Sequence, residues 1–167
     1  MTGDNARRFE SDGTETLDFA QHGVLVICPK CGKCARAIET GAGHSWRRTF
    51  TCTHCGAAER RDERALSGPD HQCLTNPRGF PHLAGFAEYE PFLQTAFRQH
   101  TVWALNTQHL AWMRRYVAAD LRQRTSQRAS GWSNQSMQSR LPRWMVVATN
   151  RRGVLRAIGR LESMLPD

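Results

Sequence analysis

The fold of the N-terminal part is decided by two matched stretches, Cys28-Pro29-Lys30-Cys31-Gly32 and Cys52-Thr53-His54-Cys55-Gly56. Twenty residues separate Cys31 from Cys52, so the pattern is C-x2-C-x20-C-x2-C. Each C-x2-C turn directs two thiolates at one point, and the glycine after the second cysteine permits the tight turn. Two such turns supply four ligands to a tetrahedral ion. The spacing therefore predicts one metal site with the ligands Cys28, Cys31, Cys52 and Cys55.

The ion expected at this site is one structural Zn²⁺. Four thiolates close the coordination shell and leave no open position for a substrate. Iron could occupy the same tetrahedron, because ligand softness alone does not exclude it. A redox role for one cysteine pair is the alternative, but two matched pairs favour a shared ion. Val24–Ile27 and Trp46–Thr51 have β character, which completes the pattern of a zinc ribbon.

Four further thiol and imidazole groups lie near this pattern or in the irregular stretch after it. Cys34 and Cys73 are left over; we interpret Cys34 as a free thiol near the turn and Cys73 as a packing residue. His44 and His54 are alternative ligands, although a surface or supporting position is the favoured interpretation for both.

Length and composition indicate a folded chain without a membrane segment. The chain has 167 residues, of which 40% are apolar and 23% charged. The longest apolar runs, Val24–Cys28 and Trp144–Ala148, are far shorter than the ~20 residues of a membrane helix. The first residues lack the apolar core of a signal peptide. We therefore expect a cytoplasmic protein, in which six cysteines favour metal chemistry over disulfides.

Positive charge is concentrated in the C-terminal part. Residues 91–167 contain 12 arginines, no lysine and three acidic residues, which leaves a formal charge of +9. Residues 1–90 are close to neutral, with 11 basic and 12 acidic residues. Such asymmetry favours a polyanionic partner, most simply nucleic acid. A GC-rich genome could explain the excess of arginine over lysine, but not the scarcity of acids after residue 90.

The chain is expected to be an α+β protein with a small β zinc ribbon, an irregular linker and a mainly α-helical C-terminal domain. Residues 1–20 are polar and predict a mobile tail, and the ribbon spans residues 21–62. Residues 63–91 are rich in proline and glycine, which predicts a linker or a packed loop. Residues 92–167 form the basic helical domain.

Within the C-terminal domain, two short strands around Arg98-Gln99-His100 precede three helical stretches. Asn106 or Thr107 caps a helix to about Arg124, with Leu110, Met113, Val117 and Leu121 on its core side. A second helical stretch, 136–148, is broken at Pro142. Asn150 caps a last helix to about Met164, which buries Val154, Ile158, Leu161 and Leu165.

Residues 24–58 resemble zinc ribbons of the transcription factor IIB type. The C-terminal stretch resembles a group of small uncharacterised bacterial proteins that join a zinc ribbon to a basic helical tail. The motifs that carry this second resemblance are Leu93-Gln94-Thr95, Val102–Asn106, His109-Leu110, Tyr116–Ala119, Leu121–Arg124, Ser139–Met145 and Asn150–Arg152. The resemblance implies a cytoplasmic bacterial protein and, for the site, only the four cysteine ligands. Members of the group often have a cysteine-containing turn where this chain has Ala96-Phe97-Arg98.

The function expected from these features is non-enzymatic binding of DNA or RNA. The residues expected to make the contacts are Arg115, Arg122, Arg140, Arg143, Arg152, Arg156, Arg160 and Trp132. The alternative is a protein–protein adaptor or an accessory subunit of a larger nucleic-acid-processing machine. No small-molecule substrate is expected, since the sequence contains no Walker loop, dinucleotide fingerprint or paired carboxylates. A nuclease with His44, His100 or His109 as its base would be the enzymatic alternative.

Overall fold

The computed structural model describes residues 8–10, 14, 16–42, 45–64, 89–123 and 137–166. These residues form the α+β architecture that the sequence predicts: an antiparallel β-sheet comes first, and helices packed against a β-hairpin follow. Within this described part, no helix combines the length and the apolar composition needed to span a bilayer. Cys73, His44 and Trp132 lie outside the described residues.

The secondary structure runs in the following order. The elements are β1 (Arg8–Glu10), α1 (Thr16–Ala20), β2 (Val24–Ile27), β3 (Cys34–Ala42), β4 (Ser45–Thr51), β5 (Ala58–Arg64), β6 (Leu93–Phe97), β7 (His100–Ala104), α2 (Thr107–Ala118), β8 (Leu121–Gln123), α3 (Met137–Arg140), α4 (Arg143–Val146), a 3-10 turn (Ala148–Asn150) and α5 (Arg151–Glu162).

The first sheet has the strand order β2-β3-β4-β5 and is antiparallel throughout. Alternate side chains of β2 and β3 are buried, among them Val24, Val26, Ala35 and Ala37. Phe50 of β4 covers the same core. This alternation is the period-2 pattern of a sheet with one apolar face. The β4–β5 hairpin and the β2–β3 hairpin each contain one cysteine turn.

The second edge of β2 bonds to the C-terminal part. The backbone N–H of Leu25 donates to the carbonyl of Leu105 (2.7 Å), and the N–H of Phe92 donates to the carbonyl of Leu25 (3.0 Å). The N–H of Ile27 donates to the carbonyl of Glu90 (2.8 Å). Buried residues of both parts belong to one continuous apolar cluster. The sheet and the helical part therefore share a core, which the sequence left undecided.

Two described pieces of the N-terminal segment, β1 and α1, contact the C-terminal part. Strand β1 pairs in parallel with β8, and Phe9 is buried against the rings of Trp112 and Tyr116. Phe19 of α1 is also buried and contacts Trp112. Two well-separated phenylalanines are enough to anchor a polar segment, because each buries a large apolar area.

Helix α2 begins where the sequence predicts and ends earlier. The side chain of Asn106 accepts a hydrogen bond from the N–H of His109 (2.9 Å), which is an N-cap. The predicted core residues Leu110, Met113 and Val117 are buried. The helix ends at Ala118 rather than near Arg124, because the following residues pair with β1 as strand β8. This long-range pairing is not visible in local periodicity.

The remaining helices follow the predicted breaks. Pro142 separates the short helices α3 and α4, and α5 begins at Arg151 directly after Asn150. Asn150 makes no side-chain capping bond; its Nδ2 instead donates to the carbonyl of Trp144 (2.8 Å). Helix α5 buries Val154, Ile158 and Leu161 as expected, and Leu165 beyond its end is half-buried.

Helices α2 and α5 pack antiparallel, and an ion pair joins them near each end. Arg114 pairs with Glu162 at 2.7 Å, and Arg151 pairs with Asp120. Each pair is partly exposed to solvent, so its contribution to stability is small. The two pairs have a larger effect on surface charge, because they neutralise two of the few acidic residues in the C-terminal part.

Candidate metal centre

The four predicted cysteine ligands lie at two structurally matched turns. The N–H of Gly32 donates to the carbonyl of Cys28 (2.8 Å), and the N–H of Gly56 donates to that of Cys52 (3.0 Å). Both glycines have positive φ, at 72° and 71°, a conformation that residues with a Cβ rarely adopt. The glycine after each cysteine pair is therefore required by the turn.

The sulfur atoms converge to the dimensions of a tetrahedral site. Cys28 Sγ lies 3.8 Å from Cys55 Sγ, and Cys31 Sγ lies 3.6 Å from Cys52 Sγ. All four sulfurs lie within 4.8 Å of one another. A tetrahedral ion with metal–sulfur bonds of ~2.3 Å separates its ligands by ~3.8 Å. The described residues thus form a four-cysteine group able to hold one metal ion, on a small antiparallel sheet consistent with a zinc-ribbon-like module.

The protonation of these thiols is uneven. Backbone N–H groups of Cys55 and His54 stabilise the Cys52 thiolate and lower its pKa to about 7. The N–H of Lys33 acts in the same direction on Cys31, but desolvation and the three neighbouring cysteine sulfurs outweigh it. The pKa of Cys31 consequently rises to about 12. Four thiolates this close repel one another, so a bound cation is the natural way for all of them to ionise together.

The neighbouring thiol and imidazole groups lie outside the four-sulfur group. Cys34 is half-buried, and its sulfur contacts the carbonyl of Ala35 at 3.9 Å. Burial and the nearby Cys52 raise the pKa of the Cys34 thiol. His54 is exposed on its turn. Among the described cysteine, histidine and acidic residues, only Cys28, Cys31, Cys52 and Cys55 cluster as a metal site.

Of the residues expected to contact nucleic acid, six have described side chains and all six are exposed: Arg115, Arg140, Arg143, Arg152, Arg156 and Arg160. Arg152, Arg156 and Arg160 lie on one face of α5 at intervals of one turn. The guanidinium of Arg160 donates to the carbonyl of Ala96 (2.7 Å) and to Thr95 Oγ1 (3.2 Å), which ties α5 to β6. Arg122 lies on β8, and its side chain falls outside the described part.

Two further features did not follow from motif analysis. Asn106 is buried, and besides capping α2 its Nδ2 donates to the carbonyls of Phe19 (2.7 Å) and Gly23 (2.8 Å). His100 lies flat on the indole of Trp144, with ring centroids 4.4 Å apart. His109, an alternative catalytic base in the sequence, is instead enclosed in the core. The Asn106 bonds to Phe19 and Gly23 and the His100–Trp144 stack have no signal in residue spacing, since each joins segments that are distant in the chain.

Comparison with known proteins adds no further assignment. Neither a protein-family model nor a curated protein nor a solved structure matches the chain. The four-cysteine group and the fold around it therefore carry the functional argument, and the resemblance to ribbon proteins with basic tails stays a prediction.

Proposed function

We propose that this protein is a non-enzymatic nucleic-acid-binding protein, in which one structural Zn²⁺ stabilises a ribbon and a basic helical surface contacts DNA or RNA. The basic surface consists of Arg115, Arg140, Arg143, Arg152 and Arg156, with Arg160 at its edge. Arg122 and Trp132 are part of the same proposal on sequence grounds.

Zinc is the proposed ion because the donor set is four cysteine sulfurs at the separation of a tetrahedral site. Two of the sulfurs belong to buried residues, Cys28 and Cys52, so an ion held there would act on folding rather than on a substrate. Iron prefers similar ligands, and elemental analysis of the purified protein with its visible spectrum separates the two. Zinc thiolates are colourless, whereas an iron–thiolate site absorbs visible light.

One observation carries the proposal for the C-terminal part: most of its exposed arginines lack an acidic partner within the described residues. Asp120 and Glu162 are occupied by Arg151 and Arg114. Glu90 accepts a hydrogen bond from the side chain of Gln94 (2.9 Å). The five arginines of the basic surface form no ion pair with any residue that the structure describes. An unneutralised surface of guanidinium groups is suited to phosphate, which guanidinium binds with paired hydrogen bonds.

The arrangement on α5 strengthens this interpretation. Arg152 and Arg156 are four residues apart and therefore separated by ~6 Å along the helix axis. Arg143 belongs to the short helix that precedes α5, and Arg115 lies in the last turn of α2, which packs against α5. Positive charge from three helices is thus collected on neighbouring elements.

The test is a salt titration with nuclease-treated protein and labelled DNA and RNA, each single- and double-stranded. We expect the logarithm of the binding constant to fall linearly with the logarithm of the salt concentration, with a slope near −4 if about five phosphates are neutralised. The double variant Arg152→Ala/Arg156→Ala should lower the magnitude of the slope by about 2. The control variant Arg60→Ala/Arg61→Ala loses the same charge from β5 and should leave the slope within about 0.5 of the wild type.

Two outcomes would contradict the proposal. Absence of binding at about 50 mM salt, where phosphate contacts are strong, would remove nucleic acid as the partner. An equal loss in both double variants would show attraction by net charge without a defined surface. Co-purification of the protein with one defined protein and no nucleic acid would instead support the adaptor function.

A further inference from the structure

An aromatic stack lies at the closed end of the β6–β7 hairpin. Phe97 and His100 face each other across the hairpin, and both rings lie nearly parallel to the indole of Trp144. The centroid distances from Trp144 are 4.4 Å to His100, at an interplanar angle of 2°, and 5.7 Å to Phe97, at 21°. All three residues remain partly exposed. The aromatic stack, defined by these three residues, therefore reaches the surface.

The stack is held by three different segments of the chain. Asn150 donates its side-chain N–H to the carbonyl of Trp144, which positions the α4 segment. At Gly153 of α5, a Cβ atom would stand only 2.5 Å from the Phe97 ring, so glycine is what allows the ring to lie against the helix. The hairpin itself closes at Arg98, whose φ of 54° is unusual for a residue with a side chain. Contacts within the protein itself therefore hold the three rings in place.

Exposed arginines border the stack on each of these segments. The guanidinium of Arg98 lies over the Phe97 ring, 5.4 Å from its centroid. Arg143 immediately precedes Trp144, and Arg152 immediately precedes Gly153. All three arginines are exposed, and none pairs with an acid among the residues that the structure describes. One guanidinium group therefore lies on the stack, and two more exposed arginines are chain neighbours of residues that form or support it.

We infer that this region binds an unpaired base of a single-stranded nucleic acid, with the base on the aromatic stack and the flanking phosphates on Arg98, Arg143 and Arg152. The inference rests on the proposed function and specifies its ligand. Proteins that bind single strands combine a basic groove with rings on which bases stack, and every base offers a flat face. Bases inside a duplex are stacked on each other, so their faces are unavailable to the protein.

The exposed arginines alone would suit an acidic protein as well as a nucleic acid. The aromatic stack favours the nucleic acid. An acidic peptide has carboxylates for the arginines but no flat, electron-rich rings in regular alternation with its charges. A nucleic-acid strand provides a base next to every phosphate. The juxtaposition of His100 and Trp144 with three arginines fits the strand.

The experiment compares labelled oligonucleotides of about 12 nucleotides by fluorescence anisotropy at constant salt, a length within the usual site size of such proteins. The probes are oligo(dT), oligo(U) and a mixed-sequence DNA duplex, with polyglutamate as competitor. We expect His100→Ala to weaken single-strand binding by about 5-fold or more. Duplex binding should change by less than about 2-fold, since it depends on phosphate contacts. The DNA and RNA probes show which sugar the site accepts.

Two further variants keep the result interpretable if His100→Ala perturbs folding. His100→Phe retains a flat ring and should keep single-strand affinity within about 2-fold of the wild type. His22→Ala removes an exposed histidine near β2 and should have no effect. Thermal unfolding of each variant reports whether the fold is intact.

The outcomes separate this inference from the function on which it rests. If the wild type binds no nucleic acid, the proposed function fails. If it binds, but His100→Ala affects single strands and duplex equally or not at all, only the base-stacking site is refuted. Competition by polyglutamate as strong as that by oligo(dT) would likewise refute it, because the rings would then contribute nothing.

Discussion

Burial of His109 predicts a loss of stability under mild acid. The imidazole is 1% exposed, and its Nδ1 accepts a hydrogen bond from the N–H of Leu105 (3.1 Å). The ring stacks on Phe19 at 5.1 Å and meets the edge of Trp103 at 5.7 Å. A proton on Nδ1 would break that hydrogen bond and place a charge among apolar rings. Burial accordingly lowers the pKa of His109 from 6.5 to about 3.

The sign and size of the effect follow from this lowered pKa. Above about pH 6.5 His109 is neutral in both the folded and the unfolded chain, so it contributes no pH dependence. Between about 6.5 and 3 only the unfolded chain takes up the proton, and each pH unit lowers the free energy of unfolding by about 1.4 kcal/mol. Going from pH 7 to pH 5 should therefore cost about 2 kcal/mol, or about 4–8 °C in Tm for a chain of this length.

The assay is urea unfolding at pH 7 and pH 5 for the wild type and His109→Gln, which keeps a hydrogen-bond acceptor but does not titrate. His22→Gln, at an exposed position, is the matched control. Protons also compete for the cysteine ligands, but that effect is common to all three proteins and cancels in the comparison. The wild type and the control should lose about 2 kcal/mol more than His109→Gln. Equal losses, within about 0.5 kcal/mol, would refute the reasoning.

Three further changes test the metal centre, the contact between α5 and β6, and the cap of α2. Cys52→Ser should abolish metal binding and unfold the ribbon, whereas Cys34→Ser should retain both the ion and the fold. Elemental analysis measures the bound metal, and circular dichroism measures the fold. Stoichiometric metal in Cys52→Ser would disprove the ligand set. Gly153→Ala should lower the free energy of unfolding by about 1–3 kcal/mol through contact with the aromatic ring of β6, while Gly159→Ala, with open space at its Cβ, should stabilise α5 by up to about 1 kcal/mol. Similar unfolding midpoints for these two variants would contradict that assignment. Asn106→Ala removes the cap of α2 and two bonds to buried carbonyls, so a loss of about 3 kcal/mol or more is expected in urea unfolding; a loss below about 1 kcal/mol would show that water replaces the amide.

Short-range sequence patterns correctly predicted those elements that depend on residues close together in the chain. The turns at Cys28–Gly32 and Cys52–Gly56, the cap at Asn106 and the break at Pro142 each depend on residues within one turn of the chain. The hairpin around Arg98 also follows from sequence. Helical periodicity placed Val154, Ile158 and Leu161 on the buried face of α5, because side chains at 3.6-residue spacing share one side.

Errors arose where a distant segment decided the conformation. Helix α2 stops at Ala118 because β8 pairs with β1, more than a hundred residues earlier in the chain. A smaller difference has a local origin: Asn150 occupies the predicted N-cap position of α5 but makes no side-chain capping bond, and its Nδ2 donates to the carbonyl of Trp144 six residues earlier. Composition likewise gives no sign that Phe9 and Phe19 contact aromatic side chains of α2.

The sequence by itself identified the four cysteines that could hold one metal ion and the charge of each half, since ligand chemistry and formal charge belong to residue types and short spacings. Tertiary structure alone decided which arginines are neutralised, because Asp120 and Glu162 meet Arg151 and Arg114 only when α2 packs on α5. The same holds for the aromatic stack, whose rings come from a hairpin and a helix about 45 residues apart in sequence. Contacts of this kind are formed by burial of a shared core, and burial is a property of the folded chain as a whole.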